Sequence, residues 1–166
     1  MDFYKININY FVFCILFIYF PFHLLEEAVG NFPHWMYKHK WIPEEITFSH
    51  WMANNIFFYF FLLQIGFILS VVFHSLSFFG IGIIFWGLIN FFDHFIYSII
   101  DHKKSPGIFT GILYLVMSIF GLINAYKSNL FTIFTLSFSI FMGFIYAFLP
   151  VAFSMLFHKT FNKIFK

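Results

Sequence analysis

Five long apolar segments run through this 166-residue chain and constrain its fold more than any other feature. Because an α-helix needs about 20 apolar residues to cross the hydrocarbon core of a bilayer, each segment is long enough to do so. Only 10% of the residues are charged, whereas a soluble domain carries about 25%. The sequence therefore predicts an all-α, polytopic membrane helix bundle with about five transmembrane helices in a single domain, residues 1–166. The predicted spans are residues 6–28, 51–73, 78–100, 107–125 and 130–157.

The remaining composition excludes several common classes of function. The net charge is +2, and no basic run is long enough to bind nucleic acid. The single cysteine, Cys14, lies in an apolar segment, which excludes a disulfide framework and a cysteine metal site. The sequence also lacks a recognisable nucleophile elbow and a glycine-rich phosphate loop. Because most of the chain is apolar, we expect its partners to be the lipid bilayer and a lipid-like small molecule. Because no basic run is long enough, we expect no nucleic acid.

The lysines predict how the chain is oriented in the membrane. If the five spans alternate in direction, Lys5 and Lys127 lie on one side. The other lysines share the opposite side, namely Lys38, Lys40, Lys103, Lys104, Lys159, Lys163 and Lys166. Cytoplasmic loops carry the excess of basic residues. The sequence therefore predicts a multi-pass protein of the cell membrane with its N-terminus outside and its C-terminus in the cytoplasm.

Prolines and aromatic residues predict local features of the first span and of the segment that follows it. Pro21 interrupts the first span, where a kink is expected and where membrane helices tolerate it. Residues 30–50 mix lysines with tryptophan and tyrosine, a composition that suits the headgroup layer. Within that segment, Pro43, Glu44 and Glu45 predict the first turn of a helix, because proline fits that turn and acids favour the N-terminal end of the helix dipole.

Three polar side chains share one helical face near the end of the first span. His23, Glu26 and Glu27 stand at positions i, i+3 and i+4. Their spacing is that of the pattern H-x-x-E-H, in which the outer two residues bind zinc and the inner glutamate activates water. Here a glutamate replaces the second histidine. By that analogy His23 and Glu27 are candidate metal ligands, and Glu26 is a candidate catalytic general base.

Two further spans bring polar groups to the same predicted depth. Asn90 and His94 lie one turn apart near the end of the third span, and His50 and Asn54 lie one turn apart at the start of the second. We predict His94 as a third metal ligand, and Asn90, His50 and Asn54 as residues that orient a ligand. The cofactor is unknown from the sequence. Histidine nitrogen and carboxylate oxygen suit a divalent metal such as zinc, with one position left for water.

The leading interpretation is a membrane-embedded enzyme, a metal-dependent hydrolase that acts on a lipid-like substrate near the cytoplasmic face. Three alternatives remain open. In a metal-free enzyme, Glu26 or Glu27 would pair with His94 as an acid–base couple. Ionisable groups within spans also mark the paths of transporters and ion binders, although the polar residues here gather at one side. In a structural protein, the cluster would clamp the helices together, or each group would simply reach water at a helix end.

The residues His23-Leu24-Leu25-Glu26-Glu27 carry a resemblance to a known family. Further matching residues are Phe32-Pro33-His34-Trp35, Asn90-x-x-x-His94 and Pro106-Gly107. Up to about residue 125, the sequence resembles the family of small integral membrane proteins named for its H-x-x-E-E motif. The resemblance implies a membrane protein without an established biochemical activity. It marks His23, Glu26, Glu27, Asn90 and His94 as the residues of interest.

Overall fold

The computed structural model describes residues 6–164, and the side chains of all of these except residues 158, 161, 162 and 164. Within that range the chain is helical and contains no β-strand. Five helices are long and apolar enough to cross a membrane, which confirms the predicted all-α class. Lys5 and Lys166 lie outside the described residues, and the single domain stays a prediction. The helices are α1 (Ile8–Val29), α2 (Phe32–Lys38), α3 (Phe48–Val72), α4 (Ser77–Ile100), α5 (Ile108–Lys127) and α6 (Ile133–Ile164).

Helix α1 is kinked where the sequence places Pro21. Phe20 leaves the helical region, with φ −119° and ψ 104°, and residues Ile18–His23 form a widened turn of the π type. Such turns are rare and are found frequently at functional sites. Regular α-helix resumes over Leu24–Val29. The predicted kink is therefore present, and it lies directly before the polar motif of this helix.

The connection between α1 and α3 differs from its prediction. A helix does form in it, but this helix is α2, with Pro33 in its first turn, and residues 43–45 are irregular. The predicted helix start at Pro43 is therefore wrong. The signal that starts α3 is Thr47, whose Oγ1 accepts a hydrogen bond of 3.2 Å from the backbone N of His50. A threonine cap satisfies an otherwise unpaired N–H of the first turn, so α3 begins before its predicted start at residue 51.

Helix α4 lies at the centre of the bundle and packs against α1, α3, α5 and α6. Glycines allow two of these close approaches. A Cβ on Gly82 would lie 2.7 Å from Cβ of Met142 in α6, and a Cβ on Gly87 would lie 2.7 Å from Oγ of Ser118 in α5. The Ser118 hydroxyl also donates a hydrogen bond of 2.9 Å to the carbonyl oxygen of Ile84. Small residues and interhelical hydrogen bonds of this kind hold helices together in membranes.

Large apolar side chains cover the outer faces of these helices. Examples from five helices are Phe17, Phe61, Ile99, Phe120 and Phe141, all of them exposed. Soluble monomers rarely expose continuous apolar surface of this extent. The five apolar helices and their apolar exterior are together compatible with a multi-pass membrane protein.

Residues 32–47, which we call the cover segment, are tied to the end of α4. The Lys38 ammonium donates a hydrogen bond of 2.9 Å to Oδ2 of Asp101, and Nε2 of His39 lies 2.9 Å from the same oxygen. The Trp41 indole N–H donates to the Tyr97 hydroxyl at 2.9 Å. The Lys38 hydrogen bond, with a smaller contribution from His39, holds the pKa of the Asp101 carboxyl below its usual value against desolvation. These contacts keep the cover segment over one end of the bundle.

Candidate metal centre

His23, Glu27 and His94 converge in the interior of the bundle. Oε1 of Glu27 lies 3.3 Å from Nε2 of His23 and 3.6 Å from Nε2 of His94. One potential ligand atom from each residue lies within 4.8 Å of the other two. All three side chains are buried, with 2%, 6% and 1% of their surfaces exposed respectively. The structure thus brings together the three residues predicted from the sequence as metal ligands.

A hydroxyl group fixes the ring of His23. Oγ1 of Thr110, in the first turn of α5, lies 2.7 Å from Nδ1 of His23 and 2.6 Å from Oε2 of Glu26. Because an ionised carboxylate only accepts hydrogen bonds, the hydroxyl donates to Glu26 and accepts from His23. This network assigns the ring proton to Nδ1. Nε2 of His23 then carries a lone pair on the side that faces Glu27.

His94 is held in the same way by the loop between α4 and α5. Its Nδ1 lies 2.9 Å from Oγ of Ser105, which in turn donates to the carbonyl oxygen of Pro106 at 3.4 Å. The backbone N of Ser105 donates to the Ser98 hydroxyl at 2.9 Å, which anchors the loop on α4. With Nδ1 as donor, Nε2 of His94 also presents a lone pair towards Glu27. Metal-binding histidines are commonly oriented by such a partner on the second ring nitrogen.

Glu26 points away from its neighbour Glu27 and caps helix α5. Its Oε1 accepts a hydrogen bond of 2.9 Å from the backbone N of Phe109, and its Oε2 accepts one of 2.8 Å from the backbone N of Thr110. The residue before α5, Gly107, has no side chain to do this, so Glu26 supplies the missing cap and a favourable charge at the helix N-terminus. The role of Glu26 as a general base stays a prediction.

Gly107 lies against both histidine rings. Its φ of +98° is strained for any residue with a side chain. A Cβ at this position would lie 2.7 Å from Cε1 of His23 and 2.7 Å from Nε2 of His94. The Pro106-Gly107 turn therefore allows α5 to start immediately beside the cluster, so that Thr110 reaches His23.

Substituting Gly107 by Ala is expected to displace both imidazoles, so that a zinc ion held by this cluster would bind about tenfold more weakly or worse, the range seen when supporting contacts are lost. Zinc affinity of the purified protein in detergent micelles measures the effect. Gly111→Ala is the matched control, because a Cβ there would meet nothing closer than 3.6 Å and alanine favours the helix. Equal zinc affinities in the two variants would contradict the assigned role of Gly107.

A cavity of about 340 Å³ opens beside the cluster. Its polar lining comprises Tyr19, His23, Glu27, Asn54, Asn55, Tyr59, Asn90, Asp93, His94 and Ser154. The apolar lining comes from α3, α4 and α6 and from the cover segment, which contributes Phe32, Met36, Trp41, Ile42 and Ile46. Ligand sites are typically concave, mainly apolar and furnished with a few converging polar groups. The cavity has this character, with the His–Glu cluster in its wall.

The residues predicted to orient a ligand lie at different distances from the cluster. Nδ2 of Asn90 is 3.5 Å from Nε2 of His23, and Asn90 lines the cavity. Asn54 lines the cavity as well, and its Nδ2 donates a hydrogen bond of 3.3 Å to the carbonyl oxygen of Pro150 in α6. His50 is fully buried, and its Nε2 lies 3.3 Å from the Ser154 hydroxyl. His50 therefore contacts a lining residue and is not itself part of the described lining.

The structure adds residues that the sequence-based assignment did not include. Thr110 and Ser105 support the two histidines, and Gly107 makes room for them. Asp93 brings a second carboxyl group to the cavity. Asp93 could have been found from the sequence, because an ionisable residue within an apolar span is a functional candidate by default. Nothing in the local pattern around Thr110 or Ser105 indicates a contact with a distant histidine.

The comparison with known proteins rests on a family model. The model described as a protein of unknown function with HXXEE motif matches residues 14–121, which include the H-x-x-E-E residues, Asn90, His94 and the Pro106-Gly107 turn. No curated protein and no solved structure matches the chain. The matched region is more than half of the chain and contains every member of the cluster. The protein belongs to the HXXEE-motif family, whose function is unknown.

Proposed function

We propose that the protein is a membrane-embedded, metal-dependent hydrolase that acts on a lipid-like substrate. The observation that carries this proposal is the convergence of three lone pairs. Nε2 of His23 and Nε2 of His94 both face Oε1 of Glu27, at 3.3 and 3.6 Å. Three acceptors that face one another in a buried site repel unless a cation or a proton lies between them.

Two of the three spacings in the cluster suit a metal ion such as zinc, and the remaining separation is within 4.8 Å. Zinc bonds to nitrogen and oxygen are about 2.0–2.2 Å long, so two ligand atoms of a tetrahedral site lie about 3.4 Å apart. The two distances from Glu27 to the histidines are close to this value. Two histidines and one carboxylate would also leave the fourth position open, as in catalytic rather than structural zinc sites.

The chain supplies further groups that hydrolysis requires. A bound divalent metal activates water as a nucleophile and polarises a carbonyl group. In hydrolysis of an ester or amide, the water oxygen bonds to the carbonyl carbon, the bond to the leaving group breaks, and a proton of the water goes to that group. We assign this proton transfer to Asp93, which lines the cavity, because both oxygens of Glu26 are engaged at the start of α5.

The walls of the cavity support an amphiphilic substrate. Phe92 and Ile96 of α4 and Phe148 of α6 line the cavity, and about half of each side chain is exposed. Residues that both line a cavity and face outwards mark its mouth. Since this mouth is apolar, a hydrocarbon chain can lie in it while the polar group of the same molecule reaches the cluster.

We also propose the orientation that the lysines indicate, with the C-terminus in the cytoplasm of a cell-membrane protein. The cover segment and Asp101 then lie on the cytoplasmic side, and so does the cluster beneath them. A reporter fused to the C-terminus that is active only outside the cytoplasm would contradict this orientation.

The test combines metal analysis with hydrolysis. Protein purified in a non-ionic detergent should contain about one zinc per chain, and should release the fluorophore from an uncharged fatty-acyl ester. Treatment with a chelator should abolish hydrolysis, and added zinc should restore it. Metal at background level together with hydrolysis insensitive to the chelator would rule out the proposal. That result would favour the metal-free pair of Glu27 and His94 as acid and base.

A structural role is the second candidate, and one observation favours it. Glu26 joins α1 to α5 through three hydrogen bonds of 2.6–2.9 Å, an arrangement that clamps two helices together. If joining α1 to α5 were the only role of the motif, substitutions of Glu26 would lower stability. The wild-type protein would then neither bind zinc nor hydrolyse the ester.

A further inference from the structure

A second concave surface lies on the outside of the bundle, in the groove between α4 and α5. It has a volume of about 570 Å³ and shares no described lining residue with the cavity beside the cluster. Each helix contributes a stripe of side chains at positions i, i+4 and i+7, which share one helical face. The stripes are Phe91, Phe95 and Ser98 on α4, and Ile108, Ile112 and Leu115 on α5. The groove therefore runs along both helices, apart from the candidate metal centre.

The groove ends at the basic loop that joins α4 to α5. His102, Lys103 and Lys104 line this end, and all three are exposed. The Lys104 ammonium lies 4.7 Å from the centre of the Phe109 ring, and neither lysine forms an ion pair with an acidic side chain of the described residues. A neutral imidazole keeps one N–H, so His102 also offers a hydrogen-bond donor. This end of the groove thus presents two positive charges and several donors.

Two carboxylates close to this loop are already engaged elsewhere. Asp101 accepts a hydrogen bond of 2.9 Å from the Lys38 ammonium. Glu26 accepts hydrogen bonds from two backbone N–H groups at the start of α5. Neither carboxylate lines the groove, and no acidic side chain is found among its described lining residues. An anion at the two loop lysines would therefore meet positive charge without a competing carboxylate.

The length of the groove favours a lipid over a small soluble anion. At 1.5 Å per residue, Phe91 lies about 14 Å along the axis from the end of α4 at Ile100. One leaflet of the hydrocarbon core is about 15 Å thick. The charges lie at one end of the groove and apolar side chains line the rest of it, in the order of a phosphate followed by a hydrocarbon chain. Basic pockets between membrane helices bind anionic lipid headgroups in this way.

We propose that the groove binds one anionic phospholipid, with its phosphate at Lys103 and Lys104 and one hydrocarbon chain along Phe95 and Ile112. This site goes beyond the proposed hydrolase and does not depend on it, because the two sites share no described lining residue. Lipid tails surround the protein in any case, so selectivity comes from the charge of the headgroup and the fit of the chain. A zwitterionic phospholipid carries a cation beside its phosphate, which weakens its attraction to the lysines.

Native mass spectrometry of the protein in a non-ionic detergent tests the proposal, because it separates bound lipids by mass. The probes are ether-linked phosphatidylglycerol, phosphatidylcholine with the same chains, and chain-free glycerophosphoglycerol. Phosphatidylglycerol should occupy a saturable site at least about fivefold more tightly than phosphatidylcholine, the contribution of about one lysine. The chain-free headgroup should not displace it. Equal binding of the two lipids, or displacement by the chain-free headgroup, would overturn the proposal.

Two double variants with the same change in charge locate the headgroup. Lys103→Gln combined with Lys104→Gln should weaken binding of phosphatidylglycerol about 25-fold, because two contributions of about fivefold multiply. Lys159→Gln combined with Lys163→Gln is the matched control, since both lysines are exposed on α6 and do not line the groove. The control should bind as the wild type does. Equal losses in the two double variants would show that only net charge matters, and the assigned site would be wrong.

A pair of tryptophan substitutions tests the apolar part of the groove. Ile112→Trp fills the groove, whereas Leu113→Trp adds the same side chain at a neighbouring position that does not line it. The two residues are 47% and 48% exposed, so the substitutions are matched. Ile112→Trp should weaken binding of phosphatidylglycerol at least about threefold through lost packing contacts, and Leu113→Trp should leave it unchanged. Wild-type affinity in Ile112→Trp, or equal losses in both variants, would contradict a chain bound in this groove.

Discussion

Substituting His94 by Ala is expected to reduce bound zinc from about one per chain to background. His94 would supply one of three protein ligands, and its Nε2 lies 3.6 Å from the Glu27 oxygen that would share the metal. Loss of supporting contacts alone typically costs 10–100-fold in metal affinity, so loss of a ligand should cost more than about 100-fold. Metal content after dialysis against a weak chelator measures the effect, and chelator-sensitive ester hydrolysis should disappear with it.

The control is His34→Ala, since His34 is exposed and pairs with Glu45 at 3.0 Å, away from the cluster. That variant should keep both its zinc and its hydrolysis. Because His94 is buried, its removal also leaves a cavity, so His94→Gln, which better preserves the volume, is the second variant. If a folded His94→Gln protein retained stoichiometric zinc at wild-type affinity, the assignment of His94 as a ligand would be wrong.

The membrane bundle could be predicted from the sequence because its determinants are local. Each apolar segment can be recognised from its own length and composition, and the family motif consists of consecutive residues. The convergence of the α1 and α4 polar groups followed from alternation of the spans, which placed His23 and His94 at one depth. Both steps needed only the order of residues along the chain, without any knowledge of helix rotation.

The parts that escaped prediction depend on how the helices are rotated and on contacts between distant segments. Adjacent positions on an α-helix differ by about 100° in direction, so Glu26 and Glu27 cannot both face the same partner. Glu27 points to His94, and Glu26 points to the start of α5. The sequence places both glutamates near His23 but does not say which neighbouring helix each one meets. The failed helix start at Pro43 has a similar cause, because Thr47 offers a better cap a few residues later.

Substituting Glu26 by Ala is expected to lower the free energy of unfolding by about 2–4 kcal/mol. The variant loses the helix cap formed by the two backbone N–H bonds, worth about 1 kcal/mol, and one further hydrogen bond, from the Thr110 hydroxyl to the carboxylate, worth about 1.5–3 kcal/mol. The Thr110 hydroxyl also loses its acceptor, so it no longer holds the ring of His23 in one orientation. Zinc affinity should therefore fall about 10–100-fold. Chemical denaturation in micelles and zinc titration measure the two effects. The control Glu45→Ala removes an exposed carboxylate of the cover segment and should change neither.

A substitution at Thr110 distinguishes this positioning role of Glu26 from direct activation of water. Thr110→Val removes the hydroxyl that joins His23 to Glu26 and leaves the two backbone N–H groups capped by the carboxylate. If Glu26 acts by positioning His23, this variant should repeat most of the loss in zinc affinity with a smaller loss of stability, and Thr110→Ser should restore it. If Glu26 is instead the general base, Glu26→Gln should keep its zinc while losing hydrolysis. The contacts of Glu26 favour the first result, because both of its oxygens already accept hydrogen bonds from α5.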